Sequence, residues 1–441
     1  MLGLGLLGRG VNDAKFFAEC GAQVLATDLK TKEQLAPTLK KLSKYKNITY
    51  VLGEHRLEDF RDCDFVLKAN DVPLNSPYIA EAKKHGIPVE MEGSLFVKLA
   101  EGITFVGITG TRGKTTTTYL IYDMLKTAFP GKVYLGGNIK GLATLPLIKK
   151  VKAGDIVVME LDSWQLQGWG DIQKSPHIAA FTNFLKDHLN YYLKVSKTED
   201  EAMQRYFNDK AQIFSHQKEN DFLIIDSDMK KEITKRYQGE IKSKIILPKK
   251  TQIDGWKIKI AGEHNKKHIL EAIEVGKLFD IPMKSIRKSV ENFVGVEGRL
   301  EFLREYKGIK IYNDTTATTP DATIVALKSL GVNAKGKIPK KKKAILIMGG
   351  ADKNLDMSAL IKEIPKYCKK VVLLAGTGTD KLDGKVPGKI VKSLKEAVFE
   401  ALEGSQKGDI LVLSPGFASF GMFKNEYDRG DKFVKIIKNL K

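Results

Sequence analysis

The sequence predicts an α/β protein with parallel sheets, organised in two or three domains. Three observations carry that prediction. Short apolar runs alternate with helical stretches along the chain, glycine-rich turns stand at 3–8 and 107–113, and 441 residues exceed a single domain of roughly 100–200 residues. In chain order, "AQVLATDL" (22–29), "DFVLKAN" (64–70) and "IPVEMEG" (87–93) read as strands, with helices over 13–20 and 76–86. "ITFVGITG" (103–110) opens a second nucleotide unit, followed by strands at 155–161, 177–183 and 221–226. A third group begins near Arg299, with strands in "GIKIYND" (308–314), "KAILIMGG" (343–350), "KVVLLAG" (370–376) and "DILVLSPG" (409–416). The distinctive polar residues stand just after these strands, where open α/β sheets place their ligand crevices.

Composition narrows the classes. Hydrophobic residues make up 42% of the chain, enough for substantial cores. The apolar runs are short and broken by charge, and the opening stretch lacks a basic leader, so neither membrane insertion nor secretion is expected and the location is expected to be cytoplasmic. Cys20, Cys63 and Cys368 lack metal-ligand spacing, which fits a reducing compartment and predicts inert packing residues. The net charge of +20 and the run Lys340 to Lys343 admit a nucleic-acid reading. Arginine is a small minority of the 73 basic residues, however, and the lysines are spread along the chain, with 335–343 reading as an exposed loop, so solvated lysine faces are favoured over a nucleic-acid surface. Attraction of a small polyanion fits either reading.

The opening "MLGLGLLGRG" places Gly3, Gly5 and Gly8 at the spacing of a dinucleotide-binding turn, and Asp28, about 20 residues further on, holds the place of an acidic ribose ligand. Alone, that pattern permits NAD. Such a turn ordinarily follows a buried strand, and none is evident before this one, so residues before Met1 are expected to be missing through a misassigned start or a genuine truncation, the former being favoured.

The sharpest motif is "GITGTRGKTTTT" (107–118). A glycine-rich turn between strand and helix aims backbone N–H groups at phosphate oxygens, and the helix N-terminus adds positive potential. Lys114 can reach terminal phosphates, and the Thr115 hydroxyl can ligate Mg²⁺. Ile108 stands where the strict Walker spacing has glycine, and Gly107 and Gly110 substitute, so the loop is a variant. Glu160 ends an apolar strand in "DIVVMELDSWQL" (155–166) and is placed to offer oxygen to the metal. Asp187 and His188 follow another strand in "TNFLKDHLNYY" (182–192); alone, such a pair reads more simply as a helix cap with a surface histidine.

Taken together, "GITGTRGKTTTT", "MELDSWQL", "TNFLKDHL", "GEHNKKHIL", "GVEGRLEF", "YNDTTATTPDA", "GGADKNLD" and "LSPGFASFGMFKNEYDRGDKF" resemble, in order and over nearly the whole chain, the Mur ligases, ATP-dependent amide ligases of peptidoglycan synthesis. The resemblance implies three α/β domains: a Rossmann-like N-terminal domain (1–98) that binds a uridine diphosphate substrate, a central P-loop ATPase-like domain (99–295) and a Rossmann-like C-terminal domain (296–441) that binds the amino acid. The motif order is that of the member joining D-glutamate to UDP-N-acetylmuramoyl-L-alanine through an acyl phosphate. A monomer is expected, with a lid-like closure of the C-terminal domain about hinges near Val294 to Glu297.

Roles implied by the resemblance fall residue by residue. Gly5, Leu6, Leu7 and Asp28 would hold the UDP substrate. Gly110, Thr111, Gly113, Lys114, Thr115, Thr116, Asn265, Arg299 and Asp314 would hold ATP. Thr115, Glu160, His188 and Lys210 would serve Mg²⁺, with Lys210 carbamylated by CO₂; its residue type alone would make it a solvated helix lysine. Lys114, Lys210, His188 and Asn138 would carry catalysis, and Lys353, Ser419 and Phe423 the amino acid. The bland alternatives are a turn asparagine for Asn138, caps for Asn265 and Ser419, an ion pair for Arg299 and Asp314, and a surface lysine for Lys353. Departures from the family pattern stand at Arg112, Asp162, Trp164, His268, Thr316 and Glu426, and they bear on amino-acid choice more than on ATP chemistry. A ligase adding another amino acid is the runner-up. An NAD-dependent oxidoreductase and a nucleic-acid module are further alternatives, and neither accounts for the P-loop together with Glu160 and His188.

Overall fold

The computed structural model describes every residue except Leu7, Asp71, Leu74, 333–337, Lys340, Asp383 and Lys441, and leaves aside the side chain of Asn190. The predicted substrate contact Leu7 and, within the predicted loop 335–343, residues 335–337 and Lys340 therefore lie outside the described residues. The chain forms two compact units, one of Met1–Gln252 with Lys267–Ile286, the other of Ile253–Lys266 with Arg287–Lys441.

The first unit opens with two parallel strand pairs, β1 (Val24–Asp28) with β2 (Ile48–Leu52) and β3 (Val66–Leu67) with β4 (Val89–Glu90). Between them runs the start of the chain. Leu2 bridges in parallel to both Thr27 and Lys68, and Gly3 N–H donates to the Thr27 carbonyl at 2.9 Å. Met1 to Gly3 thus run between the two pairs, with Leu2 as the bridging residue. The helix predicted over 13–20 spans Arg9–Glu19, because Gly8, with φ of 98°, turns the chain directly into it.

A six-stranded, all-parallel sheet forms the centre of this unit, in the order β10 (Lys244–Ile246), β9 (Phe222–Ile224), β8 (Ile178–Phe181), β5 (Thr104–Thr109), β7 (Ile156–Glu160), β6 (Val133–Gly137). Strands β7 and β8 are buried at every residue, as expected where helices cover both faces, and so read as apolar runs without alternation. Phe96, Phe105, Trp169, Phe181, Tyr206 and Phe207 fill the core beside the sheet.

The second unit carries its own six-stranded sheet, in the order β11 (Glu301–Tyr306), β12 (Ile309–Asn313), β16 (Ile410–Leu413), β13 (Ala344–Gly349), β14 (Cys368–Leu374), β15 (Lys389–Val391). All neighbours are parallel except β11, which forms a hairpin with β12 through Lys307 and Gly308, both at positive φ. One expectation is corrected: Cys368 is buried, whereas Cys20 and Cys63 are exposed rather than core packing residues. Among the described residues, no helix is long and apolar enough to cross a membrane.

Candidate active site

Strands β8, β5, β7 and β6 are neighbours and all run the same way, so their carboxyl ends open on one edge of the sheet. Each delivers a predicted site residue there. Strand β5 leads into the glycine loop, β7 ends on Glu160, β6 precedes Asn138, and β8 leads through 182–187 to His188.

The glycine loop is shaped by Gly110 (φ 145°) and Gly113 (φ 82°). A Cβ at Gly110 would meet Thr182 Oγ1 at 2.0 Å, and one at Gly113 the His268 ring at 2.1 Å, so neither position admits a side chain. The loop is anchored to the segment after β8: Thr111 N–H donates to the Asn183 carbonyl and Arg112 N–H to Asn183 Oδ1, each at 2.9 Å. Gly113 starts helix Lys114–Ala128 without any side-chain cap, leaving the first-turn N–H groups for an anion. Thr115 and Thr116 stand half-buried in that turn. Lys114 Nζ reaches over the loop and donates to the carbonyls of Gly110 at 3.0 Å and Thr111 at 3.3 Å.

Around the loop stand the groups suited to a cation. Glu160 is buried, and its Oε2 has no hydrogen-bond partner. A carboxylate oxygen left bare in the interior is costly unless a cation uses it, and this is the observation that fits Mg²⁺ to the site. Among the described residues no three of His, Cys, Asp and Glu converge into a ready-made cage. That also fits Mg²⁺, which usually takes one or two protein carboxylates and completes its shell with water and substrate phosphates. His188 (φ 56°) is held by Asp187, whose carboxylate accepts His188 N–H at 2.8 Å and pairs with Arg112 Nη1 at 2.6 Å. Burial lowers the imidazole below its ordinary value despite Asp187, favouring the neutral ring that can ligate a metal. Burial pulls the Asp187 carboxyl upward, but His188 and Arg112 outweigh it and hold it down at about 2.

Lys210, on helix Glu199–Ala211, is 1% exposed, and its Nζ donates to the Gly110 carbonyl at 2.8 Å. Burial, reinforced by Lys114, drives its amine well below the ordinary lysine range. A buried amine with a lowered pKa, donating to the phosphate loop, is a different object from a solvated helix lysine.

Three departures from the family pattern acquire reasons. Asp162 caps helix Ser163–Asp171 in a reciprocal pair with Gln165, Trp164 meets the His188 ring edge-on at 5.0 Å, and Arg112 anchors Asp187. At the N-terminal turn, Gly3, Gly5 and Gly8 all take positive φ. Asp28 Oδ2 accepts the N–H groups of Leu4 at 2.9 Å and Gly5 at 2.8 Å, so this carboxylate braces the turn from within. Leu6 is half exposed beside it.

In the second unit, loops after β12, β13 and β16 meet at the carboxyl ends of three adjacent strands. Ala351 and Ala418 bridge by mutual backbone hydrogen bonds, and Gly416 N–H donates to the Ala317 carbonyl at 2.8 Å. This brings together the loops that carry Lys353 and Ser419. Lys353 Nζ donates to Thr318 Oγ1 at 2.9 Å, so Thr318 joins the set although its residue type gave no signal. Ser419 is buried, and Phe423 packs partly into the core with Lys432 Nζ 5.3 Å over its ring. Asp314 accepts from Ser414 Oγ at 2.8 Å and from Leu300 N–H at 3.1 Å, and burial raises its carboxyl to about 7. Arg299 lies close enough to oppose that rise. Thr316 Oγ1 donates to the Gly298 carbonyl at 2.9 Å. Asn265 is not a cap: it sits inside the first turn of helix Glu263–Leu278, and its Nδ2 donates to the Ala261 carbonyl at 2.6 Å.

Arg429 was missed by the sequence. It is completely buried and donates to Thr315 O at 2.8 Å, Thr315 Oγ1 at 3.1 Å and Phe417 O at 3.4 Å, and burial lowers it to about 10. Its only advance signal was its place in "EYDRGDKF".

Known proteins bear directly on this arrangement. Residues 108–294 match the Mur ligase middle domain, and residues 298–417 match the Mur ligase glutamate ligase domain. UDP-N-acetylmuramoylalanine–D-glutamate ligases of Roseiflexus sp. (strain RS-1) and Borreliella afzelii (strain PKo) are each 34% identical to this chain over all of it, and over 98% and 97% of their own lengths. Among solved structures, UDP-N-acetylmuramate-alanine ligase MurC from Thermotoga maritima shares the fold with a TM-score of 0.61 at 18% identity, covering 100% of this chain and 99% of that one. MurF ligase from Thermotoga maritima in complex with ADP does so with a TM-score of 0.58 at 17% identity, covering 87% and 96%. With a phosphate loop, a bare carboxylate and a buried lysine on one sheet edge, and full-length likeness above 30% identity, this chain belongs to the Mur ligase family.

Proposed function

We propose that this chain is the ATP-dependent ligase that joins D-glutamate to the L-alanine carboxyl of UDP-N-acetylmuramoyl-L-alanine, a cytoplasmic step of peptidoglycan precursor synthesis. The observation that carries the reading is the full-length 34% identity to ligases of that name, combined with the assembly of Lys114, Asn138, Glu160, His188 and Lys210 around one sheet edge. The three-part division 1–98, 99–295 and 296–441 and a monomeric, membrane-free and nucleic-acid-free enzyme belong to the same proposal.

The chemistry needs activation, because amide formation from a free carboxylate would expel hydroxide. The substrate carboxylate attacks the γ-phosphorus of ATP, giving an acyl phosphate and ADP; the amine of D-glutamate then displaces phosphate. The glycine turn after Met1 to Gly3, with Leu6 and Leu7, binds the uridine diphosphate. Gly110 to Thr116 bind the phosphates of ATP, and Asn265, Arg299 and Asp314 are its further contacts. Lys114 neutralises charge that grows when two anions approach, and Asn138 donates to the reacting oxygens. Thr115, Glu160, His188 and Lys210 would hold Mg²⁺, which when bound supplies positive charge for the phosphoryl oxygens. The Lys210 amine can add CO₂ to become a carbamate, exchanging a buried base for oxygen ligands. Lys353, Ser419 and Phe423, with Thr318, bind D-glutamate.

The test is phosphate release from ATP and Mg²⁺ with UDP-N-acetylmuramoyl-L-alanine, comparing D-glutamate with other amino acids. Turnover selective for D-glutamate is expected, with Lys114→Ala slower by at least about 100-fold. Turnover with a different amino acid alone would replace the substrate, and none with any would remove the activity.

A further inference from the structure

Helix Arg9–Glu19 leaves the N-terminal glycine turn and meets the loop after β6 through a buried polar cluster. Arg9 Nη2 donates to Asn138 Oδ1 at 2.9 Å, and Arg9 Nε lies 3.4 Å from Glu92 Oε2. Glu92 is 3% exposed, and its Oε1 accepts the N–H groups of Thr144 and Leu145. Thr144 Oγ1 in turn accepts Gly137 N–H at 2.8 Å. Asp13, one turn beyond Arg9, is equally buried and faces the same carboxylate; burial and Glu92 raise it, while Arg9 opposes the rise. Neither Asp13 Oδ1 nor Glu92 Oε2 has a hydrogen-bond partner, and Arg9 is the cation beside these two buried carboxyls.

This cluster acts on Asn138 from one side only. The Asn138 backbone N–H is fixed to the Glu160 carbonyl at 2.7 Å, beside the bare carboxylate, and a Cβ on the preceding Gly137 would meet that same carbonyl at 2.1 Å. The side-chain amide has an acceptor end and a donor end, and flipping it exchanges them. A guanidinium has donors only, so it accepts one orientation: Oδ1 toward Arg9 and Nδ2 away from it. A reacting carboxylate or phosphoryl oxygen needs that donor end and is repelled by the other.

We propose that Arg9 is a positioning residue that holds Asn138 in the one amide orientation able to donate to the anionic reactants, with Glu92 holding Arg9. Because Arg9 directly follows Gly8, the orientation of Asn138 is tied to the turn proposed to hold the nucleotide-linked substrate. This inference rests on the reading above that Asn138 faces the reacting groups.

The test compares kcat and KM for Arg9→Met, Arg9→Lys, Asn138→Ala and the double variant Arg9→Met with Asn138→Ala, in the full-length enzyme. Arg9→Met is expected to lower kcat about ten-fold while KM for the UDP substrate stays within about two-fold. Arg9→Lys should recover part of the loss, and the double variant should be no slower than Asn138→Ala alone. Losses that multiply, or a loss confined to KM for the UDP substrate, overturn the proposal. A readout independent of turnover is the side-chain ¹⁵N amide signal of Asn138, assigned through Asn138→Ala. Distinct, sharp Nδ2 protons in the parent that broaden or shift in Arg9→Met support the proposal, and an unchanged signal overturns it. If the parent enzyme shows no D-glutamate turnover, the functional reading fails, and the amide signal still decides whether Arg9 orients Asn138.

Discussion

Lys210 shows how far a residue type can mislead. By composition it is one of 73 basic residues on a charged chain, yet it is buried against the Gly110 carbonyl, and burial, reinforced by Lys114, lowers its amine well below the ordinary lysine range. Only a depressed lysine reacts appreciably with CO₂ near neutral pH, since the protonated form has no lone pair. Activity is therefore expected to fall when CO₂ and bicarbonate are stripped from the assay and to return on adding bicarbonate. Lys210→Ala should be insensitive to bicarbonate and slower by about 100-fold, comparable to losing one strong electrostatic group. A parent enzyme indifferent to bicarbonate would leave Lys210 as an amine. His188 and Glu160 were legible in sequence because each follows an apolar strand. Lys210 was not, because nothing within its own helix says that residues 100 positions earlier cover it.

At the level of elements, the strands were largely legible and their ends were not. The runs at 103–110 and 155–161 shrink only to Thr104–Thr109 and Ile156–Glu160, because buried parallel strands are apolar throughout. Strands at Ile48–Leu52, Val133–Gly137, Lys244–Ile246, Glu301–Tyr306 and Lys389–Val391 escaped the reading, Val133–Gly137 through its paired glycines and Glu301–Tyr306 through its charges as an edge strand. The loops after β12 and β16 depend on helix Glu426–Lys438, which supplies Arg429 as a clamp between Thr315 and Phe417. A lysine cannot span both loops. Arg429→Lys is expected to raise KM for D-glutamate about ten-fold while KM for ATP stays within about two-fold, measured by phosphate release. Equal changes in both constants would place the clamp's effect elsewhere.

At the scale of the whole molecule, the two units carry opposed electrostatic loads. In the first, Asp187 is held at about 2, below its unfolded value, so it stabilises the fold above about pH 4 and loses that contribution as pH falls toward 2. In the second, Asp314 is raised to about 7, so the folded state holds a proton that the unfolded chain has released between about pH 4 and 7. Stability from this group therefore declines as pH rises across that window, by at most on the order of 4 kcal/mol. Urea unfolding of the full chain should show Asp314→Asn gaining stability relative to the parent at pH 8 and losing that advantage at pH 5. A constant difference between the two at both values would show that Asp314 does not titrate there. The carboxyl was named from its motif, but its state depends on Ser414, which is 100 residues away.

The sequence by itself determined the class of fold, the phosphate loop and the strand-end residues Glu160 and Asp314, because burial in parallel strands and the geometry of glycine turns are local properties that spacing records. Only the tertiary structure decided that Leu2 bridges Thr27 and Lys68, that Lys210 is buried against Gly110, that Arg9 reaches Asn138, and that Arg429 joins Thr315 to Phe417. Each of these depends on partners 24 to 129 positions apart in the chain, apart from the shorter span of Arg429 to Phe417. Such pairings are set by strand order and desolvation, which no stretch of sequence carries alone.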